Sequence, residues 1–130
     1  MNVAIYARVS TSAQSVENQL LELRVVAAKM GCRIVAELCD EGISGATGRD
    51  ERPAFDQLLR LIVQRRVDLV MAWDISRLGR SIQHLVEFMN EVQAAGVDLY
   101  IHQQAINTAT PSGRMVFGIF ASLAALSNGR

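Results

Sequence analysis

A chain of 130 residues that is half apolar fits one domain with one core. No apolar run reaches the roughly 18 residues a membrane span needs, and the N-terminus lacks a signal peptide's basic-then-apolar layout, so a cytoplasmic protein without a membrane partner is expected. Thirteen basic and thirteen acidic residues leave no net field to draw in nucleic acid, and Cys32, Cys39, His84 and His102 lack redox or metal-ligand spacing, so reduced, packed thiols and no metal are expected.

The chain opens with Val3 to Val9, short, β-branched and aromatic, as a buried strand is. A helix is expected from Ser15 to Met30, with Glu17 in its first turn, Leu20, Leu23, Ala27 and Met30 on one face, and Gly31 as its stop. Strand-like runs follow at Ile34 to Leu38, Val67 to Trp73 and Val97 to His102. Pro53 suits the first turn of a second helix reaching about Arg65, and Ser81 can cap a third that buries Leu85, Phe88, Met89 and Val92 before Gly96. Alternating strands and helices make the fold class α/β: a central, mostly parallel β-sheet flanked by helices in three layers.

Between Asp40 and Arg52 the texture changes. Gly42, Gly45 and Gly48 free the backbone and few side chains anchor it, which reads as a long mobile loop of the kind that usually carries function. The last helix, Pro111 to Leu126, is apolar nearly all round: Met115, Val116, Phe117, Ile119, Phe120, Leu123 and Leu126 cannot share one stripe. Met115, Phe117, Ile119, Phe120 and Leu123 are therefore expected to form a subunit interface, with Gly118 and Ser122 permitting close helix approach.

The chemistry concentrates at strand ends. Arg8 and Ser10, two residues apart, leave the first strand pointing the same way, at the edge where parallel sheets bind ligands. Trp73-Asp74-Ile75-Ser76-Arg77-Leu78-Gly79-Arg80-Ser81 places Arg77 and Arg80 between the third strand and a helix N-terminus, the outline of an anion site. First and third strands are commonly neighbours, so this edge gathers Arg8, Ser10, Arg77 and Arg80, with Arg52 at the base of the glycine-rich loop. His84 falls on the third helix, His102 at the end of the fourth strand and Lys29 at the far end of the first helix, which argues against a serine hydrolase built on Ser10. Guanidiniums around a hydroxyl suit phosphodiester attack, where charge collects on phosphoryl oxygens.

These residues resemble the serine site-specific recombinases of the resolvase/invertase group. The markers are Tyr6-Ala7-Arg8-Val9-Ser10-Thr11, Gln14 and Gln19, the loop ending Arg49-Asp50-Glu51-Arg52-Pro53, Ser76-Arg77-Leu78-Gly79-Arg80-Ser81, and Thr110-Pro111-Ser112-Gly113-Arg114-Met115. The resemblance covers nearly the whole chain and implies that residues 1–130 are a catalytic domain. By it Ser10 is the nucleophile forming a 5′-phosphoserine bond with DNA, and Arg8, Arg52, Arg77 and Arg80 activate the scissile phosphate. Gln14, Gln19, Asp74 and Ser76 support the site, no cofactor is used, and the protein dimerises, with a tetramer in the active synapse.

Two departures stand out. Many members carry aspartate immediately before Arg-Leu-Gly-Arg, where this chain has Ser76, leaving Asp74 as the nearest carboxylate. The last segment reads Leu126-Ser127-Asn128-Gly129-Arg130 and lacks the Glu-Arg pair that leads into a long DNA-tracking helix, so a DNA-binding domain is absent from these residues and is expected to follow Arg130. Two other readings are a truncated, inactive dimerisation module and a small α/β phosphatase or nucleotide-binding domain.

Overall fold

The computed structural model describes residues 1–9, 13–41, 53–74 and 82–128. The expected strands and helices alternate along it: β1 (Asn2–Val9), α1 (Ala13–Lys29), β2 (Arg33–Glu41), α2 (Pro53–Val63), β3 (Leu69–Ala72), α3 (Ile82–Ala95), β4 (Asp98–Ile101), β5 (Ile106–Asn107) and α4 (Pro111–Asn128). One five-stranded sheet runs in the order β2-β1-β3-β4-β5, parallel except where β5 pairs antiparallel with β4. β5 carries no sequence signal of its own, being two residues long.

Alternation along β1 divides the core. Ala4 and Tyr6 face a cluster closed by Leu58 and Ile62 of α2, Phe88, Met89 and Val92 of α3, and Phe117 of α4. Val3, Ile5 and Ala7 face the other way, onto Leu20, Leu23 and Ala27 of α1, with Leu69 and Met71 of β3 beside them. Met30, expected on the buried face of α1, is partly exposed because the helix ends at Lys29 and the chain turns away there. Glu17 likewise falls beyond the first turn, since the helix begins at Ala13 rather than Ser15.

Three helices end in the same hydrogen-bonded motif. Gly31 and Gly96 adopt φ of 70° and 71°, their amides and those of the next residues reaching back to carbonyls of α1 and α3. α2 ends likewise with Arg65 at φ 57°, its amide on Ile62 O and that of Arg66 on Leu61 O. With this turn the helix ends at Val63, two residues before its expected end, and a non-glycine residue takes the left-handed conformation that glycine adopts more readily.

Cys32 is half-buried and Cys39 exposed on the edge strand β2, and neither forms a disulfide, so the expected packing of Cys39 does not hold. Among the described residues, no helix is long and apolar enough to cross a membrane.

Candidate active site

The strand order makes β1 and β3 parallel neighbours, as the arginine constellation requires. Tyr6 pairs with Ala72; Arg8 lies two residues beyond Tyr6 and Asp74 two beyond Ala72. On the other side Arg8 pairs directly with Asp40 of β2. Arg8 and Asp40 are thus register partners on adjacent strands, by alternation on the face that packs against α2, and Asp74 follows two residues after the end of β3. Arg8 and Asp74 are both half-buried.

Asp40 is the residue that the sequence reading missed. It is 3% exposed, and its carboxylate accepts three hydrogen bonds: from the Tyr6 hydroxyl at 2.7 Å, the Ala54 amide at 2.9 Å and the Phe55 amide at 3.0 Å. Two of these donors belong to the first turn of α2, whose unpaired amides attract an anion. The chain carries Arg52 directly before Pro53, with no Ser, Thr, Asp or Asn there to accept those amides. Asp40 caps the helix from a neighbouring strand instead. The ring of Phe55 packs edge-on against Tyr6 at 5.3 Å, closing a unit of Tyr6, Asp40 and Phe55 that pins the start of α2 to β1 and β2. An uncapped Pro53 helix was the available signal.

Gln19 lies on the second turn of α1, soon after the exit of β1. It is buried, and its Oε1 is, among the described residues, a buried side-chain oxygen with no hydrogen-bond partner. Such an acceptor near the strand ends suits a donor brought in by another group.

A third polar cluster lies on the α1 face. The His102 ring stacks on Trp73 with centroids 4.8 Å apart, its Nδ1 is 3.0 Å from the Tyr100 hydroxyl and its Nε2 is 2.5 Å from Glu22 Oε2. Burial first, and then the Glu22 carboxylate, push the Tyr100 hydroxyl above its ordinary pKa, so it stays protonated.

The motif Thr110-Pro111-Ser112-Gly113-Arg114 is a docking joint for α4. Thr110 Oγ1 accepts the Gly113 amide at 3.0 Å as an N-cap, Arg114 Nε donates to Thr108 O at 3.1 Å, and a Cβ on Gly113 would collide with the Asn107 carbonyl. Phe117, expected at a subunit interface, is a correction: it is 2% exposed and packs in the domain's own core, because α4 turns that stripe inward. Met115 and Ile119, at 68% and 53% exposed, lie on the outer face. Ser10, Arg52, Ser76, Arg77 and Arg80 lie outside the described residues, as do the loop from Gly42 to Asp50 and the side chains of Gln14, Phe120 and Leu123.

Residues 3–129 match the family model for the resolvase N-terminal domain, and the chain belongs to that family. It is 33% identical over 120 residues to a DNA-invertase of Enterobacteria phage P7, covering 92% of this chain and 58% of that protein. A Tn917 transposon resolvase of Enterococcus faecalis is 31% identical over 121 residues, covering 93% of this chain and 60% of the resolvase. The chain thus spans little more than half the length of these curated relatives. Among solved structures, the N-terminal catalytic domain of TP901-1 integrase superposes with a TM-score of 0.83 at 27% identity, covering 98% of this chain and 97% of that one.

Proposed function

We propose that this chain is a recombinase catalytic domain that cleaves and rejoins DNA through a covalent 5′-phosphoserine at Ser10. The Ser10 oxygen attacks phosphorus, loses its proton, and forms the phosphoserine ester as the bond to the 3′-oxygen breaks; the 3′-hydroxyl leaves with a proton. Attack by a 3′-hydroxyl on the same phosphorus reverses the step and frees Ser10. Arg8, Arg52, Arg77 and Arg80 bind the phosphate and neutralise the charge that builds on its oxygens. Gln14, Gln19, Asp74 and Ser76 support them, with Gln19 offering its unpaired oxygen to a donor in the site.

The observation that carries this reading is Arg8 at the end of β1, in register with Asp40 of β2 and beside the parallel strand β3 that leads to Asp74, in a chain of the resolvase family. A guanidinium presents five donors in a fixed fork, which suits bidentate binding of a phosphate. The test joins the chain at Arg130 to a DNA-binding module of known specificity and looks for covalent adducts on a denaturing gel. Wild type should form the adduct and Ser10→Ala should not; an adduct with the alanine variant would overturn Ser10 as the nucleophile.

Alone, the 130 residues should bind DNA weakly and without sequence preference, since a balanced charge releases few counterions. They should self-associate weakly through the outer face of α4, where Met115 and Ile119 leave apolar surface in water. Sedimentation over a broad concentration range checks this; Ile119→Glu should weaken the dimer, and a strictly monomeric wild type would remove the interface.

A further inference from the structure

Helix α1 carries Gln19 on its second turn after the exit of β1, and an apolar stripe, Leu20, Leu23 and Ala27, seats the helix on the sheet. Such a stripe resists lifting more than it resists sliding or rolling, because hydrophobic contact has no direction. Two polar ties flank it. On the β2 side Arg24 grips Glu37 with bonds of 2.6 and 2.8 Å. On the β4 side Glu22, three residues after Gln19, meets His102, whose ring is held at both nitrogens and stacked on Trp73. Trp73 directly precedes Asp74, and the backbone ties the two segments together: the His102 amide donates to Ala72 O at 3.0 Å and the Gln103 amide to Trp73 O at 2.8 Å.

We infer that Glu22, His102 and Tyr100 form a positioning clamp that sets α1, and with it Gln19, against the exit of β3 at Asp74. The inference rests on the recombinase reading for its consequence in the reaction. It makes His102 a positioning residue.

The chemistry of the clamp is complete in either charge state of the ring. With a neutral ring, Nε2–H donates to the Glu22 carboxylate and Nδ1 accepts the Tyr100 hydroxyl. A proton added at Nδ1 turns that nitrogen into a donor to the Tyr100 oxygen and makes the Glu22 contact an ion pair. Among the described residues, the groups facing the ring are Glu22 from α1, Tyr100 from β4 and the uncharged Trp73 directly after β3, with Asp74 next along the chain. Gain of charge therefore tightens the hold on α1 without breaking a hydrogen bond.

The first arm of the test is NMR of the 130-residue chain at a single pH. Glu22→Gln, which weakens the tie and leaves the apolar stripe intact, should move the Gln19 side-chain amide and the Asp74 backbone amide from their wild-type positions. A folded Glu22→Gln protein in which both amides keep their wild-type shifts overturns the clamp. The second arm measures the rate of adduct formation in the chain joined to a DNA-binding module. His102→Phe should slow it by about tenfold to a hundredfold with DNA binding unchanged, and His102→Gln, which keeps a donor and an acceptor, should restore part of the rate. A His102→Phe variant that is folded and reacts at the wild-type rate overturns the positioning role. A wild-type protein that forms no adduct instead overturns the recombinase reading, and the NMR arm then decides the clamp by itself.

Discussion

On one face of the sheet three helices, α2, α3 and α4, close over a continuous core from Tyr6 to Phe117, while on the other, among the described residues, α1 alone covers Val3, Ile5, Ala7, Leu69 and Met71. The register pair of Asp40 and Arg8 belongs to the crowded face, where close packing and the hydrogen bonds of the buried Asp40 carboxylate hold the strand ends. Gln19 belongs to the sparse face, where an apolar stripe and two polar ties hold it. Groups on the first face should therefore be costly to disturb, and groups on the second cheap in stability yet able to shift the alignment of the strand ends.

Phe117→Ala is the sharpest test of the crowded face. It should cost about 3–5 kcal/mol in urea denaturation, the range for emptying a buried phenylalanine site. Ile119→Ala, two residues on and facing outward, should stay within about 0.5 kcal/mol. Equal losses would mean that α4 is seated differently from the arrangement described above.

Asp40→Ala should cost about 3 kcal/mol, because it strands the Tyr6 hydroxyl and two helix amides that a charge now satisfies. Asp40→Asn, which keeps an acceptor, should lose less. A loss no larger than that of a surface substitution would show that water reaches these donors and that α2 is not fixed from β2. Gly113→Ala should come next, at about 1–3 kcal/mol, since the Asn107 carbonyl must move to admit a methyl group. A neutral outcome, measured the same way, would mean that the joint between β5 and α4 yields easily.

Much of this was legible in the chain. Alternating strand and helix patterns fixed the parallel β1–β3 neighbourhood, and glycines at 31 and 96 marked two helix ends. What escaped depends on contacts between distant residues. Asp40 reads as the start of a loop until α2, which begins at residue 53, is folded against it. His102 is an isolated imidazole until Glu22, 80 residues earlier, reaches it. Phe117 and Ile119 are both apolar, and only the docking of α4 decides which turns inward. β5 follows a turn in which Ala105 adopts φ of 53°, a conformation that glycine or asparagine would have announced and alanine does not.

The smallest expected effect belongs to the sparse face and to the tie between α1 and β2. The hydrogen bond from Arg24 holds the Glu37 carboxyl below its ordinary pKa of 4.5, with partial burial opposing it and the arginine's charge adding to it. A carboxyl whose pKa is depressed by folding contributes stability that is complete above the unfolded value and fades as the pH falls through the folded one. Wild type should therefore be slightly more stable than Glu37→Gln at pH 7, and the gap should close below pH 4.5 as the carboxyl protonates in both states. The gap should also shrink in about 1 M salt, where charges are screened within roughly 3 Å, because both side chains reach solvent. A difference that survives both acid and salt would mean that the arginine stem and the glutamate methylenes hold α1 by packing. In that case the two faces would differ in how much apolar surface they bury, and no longer in the kind of force that positions them.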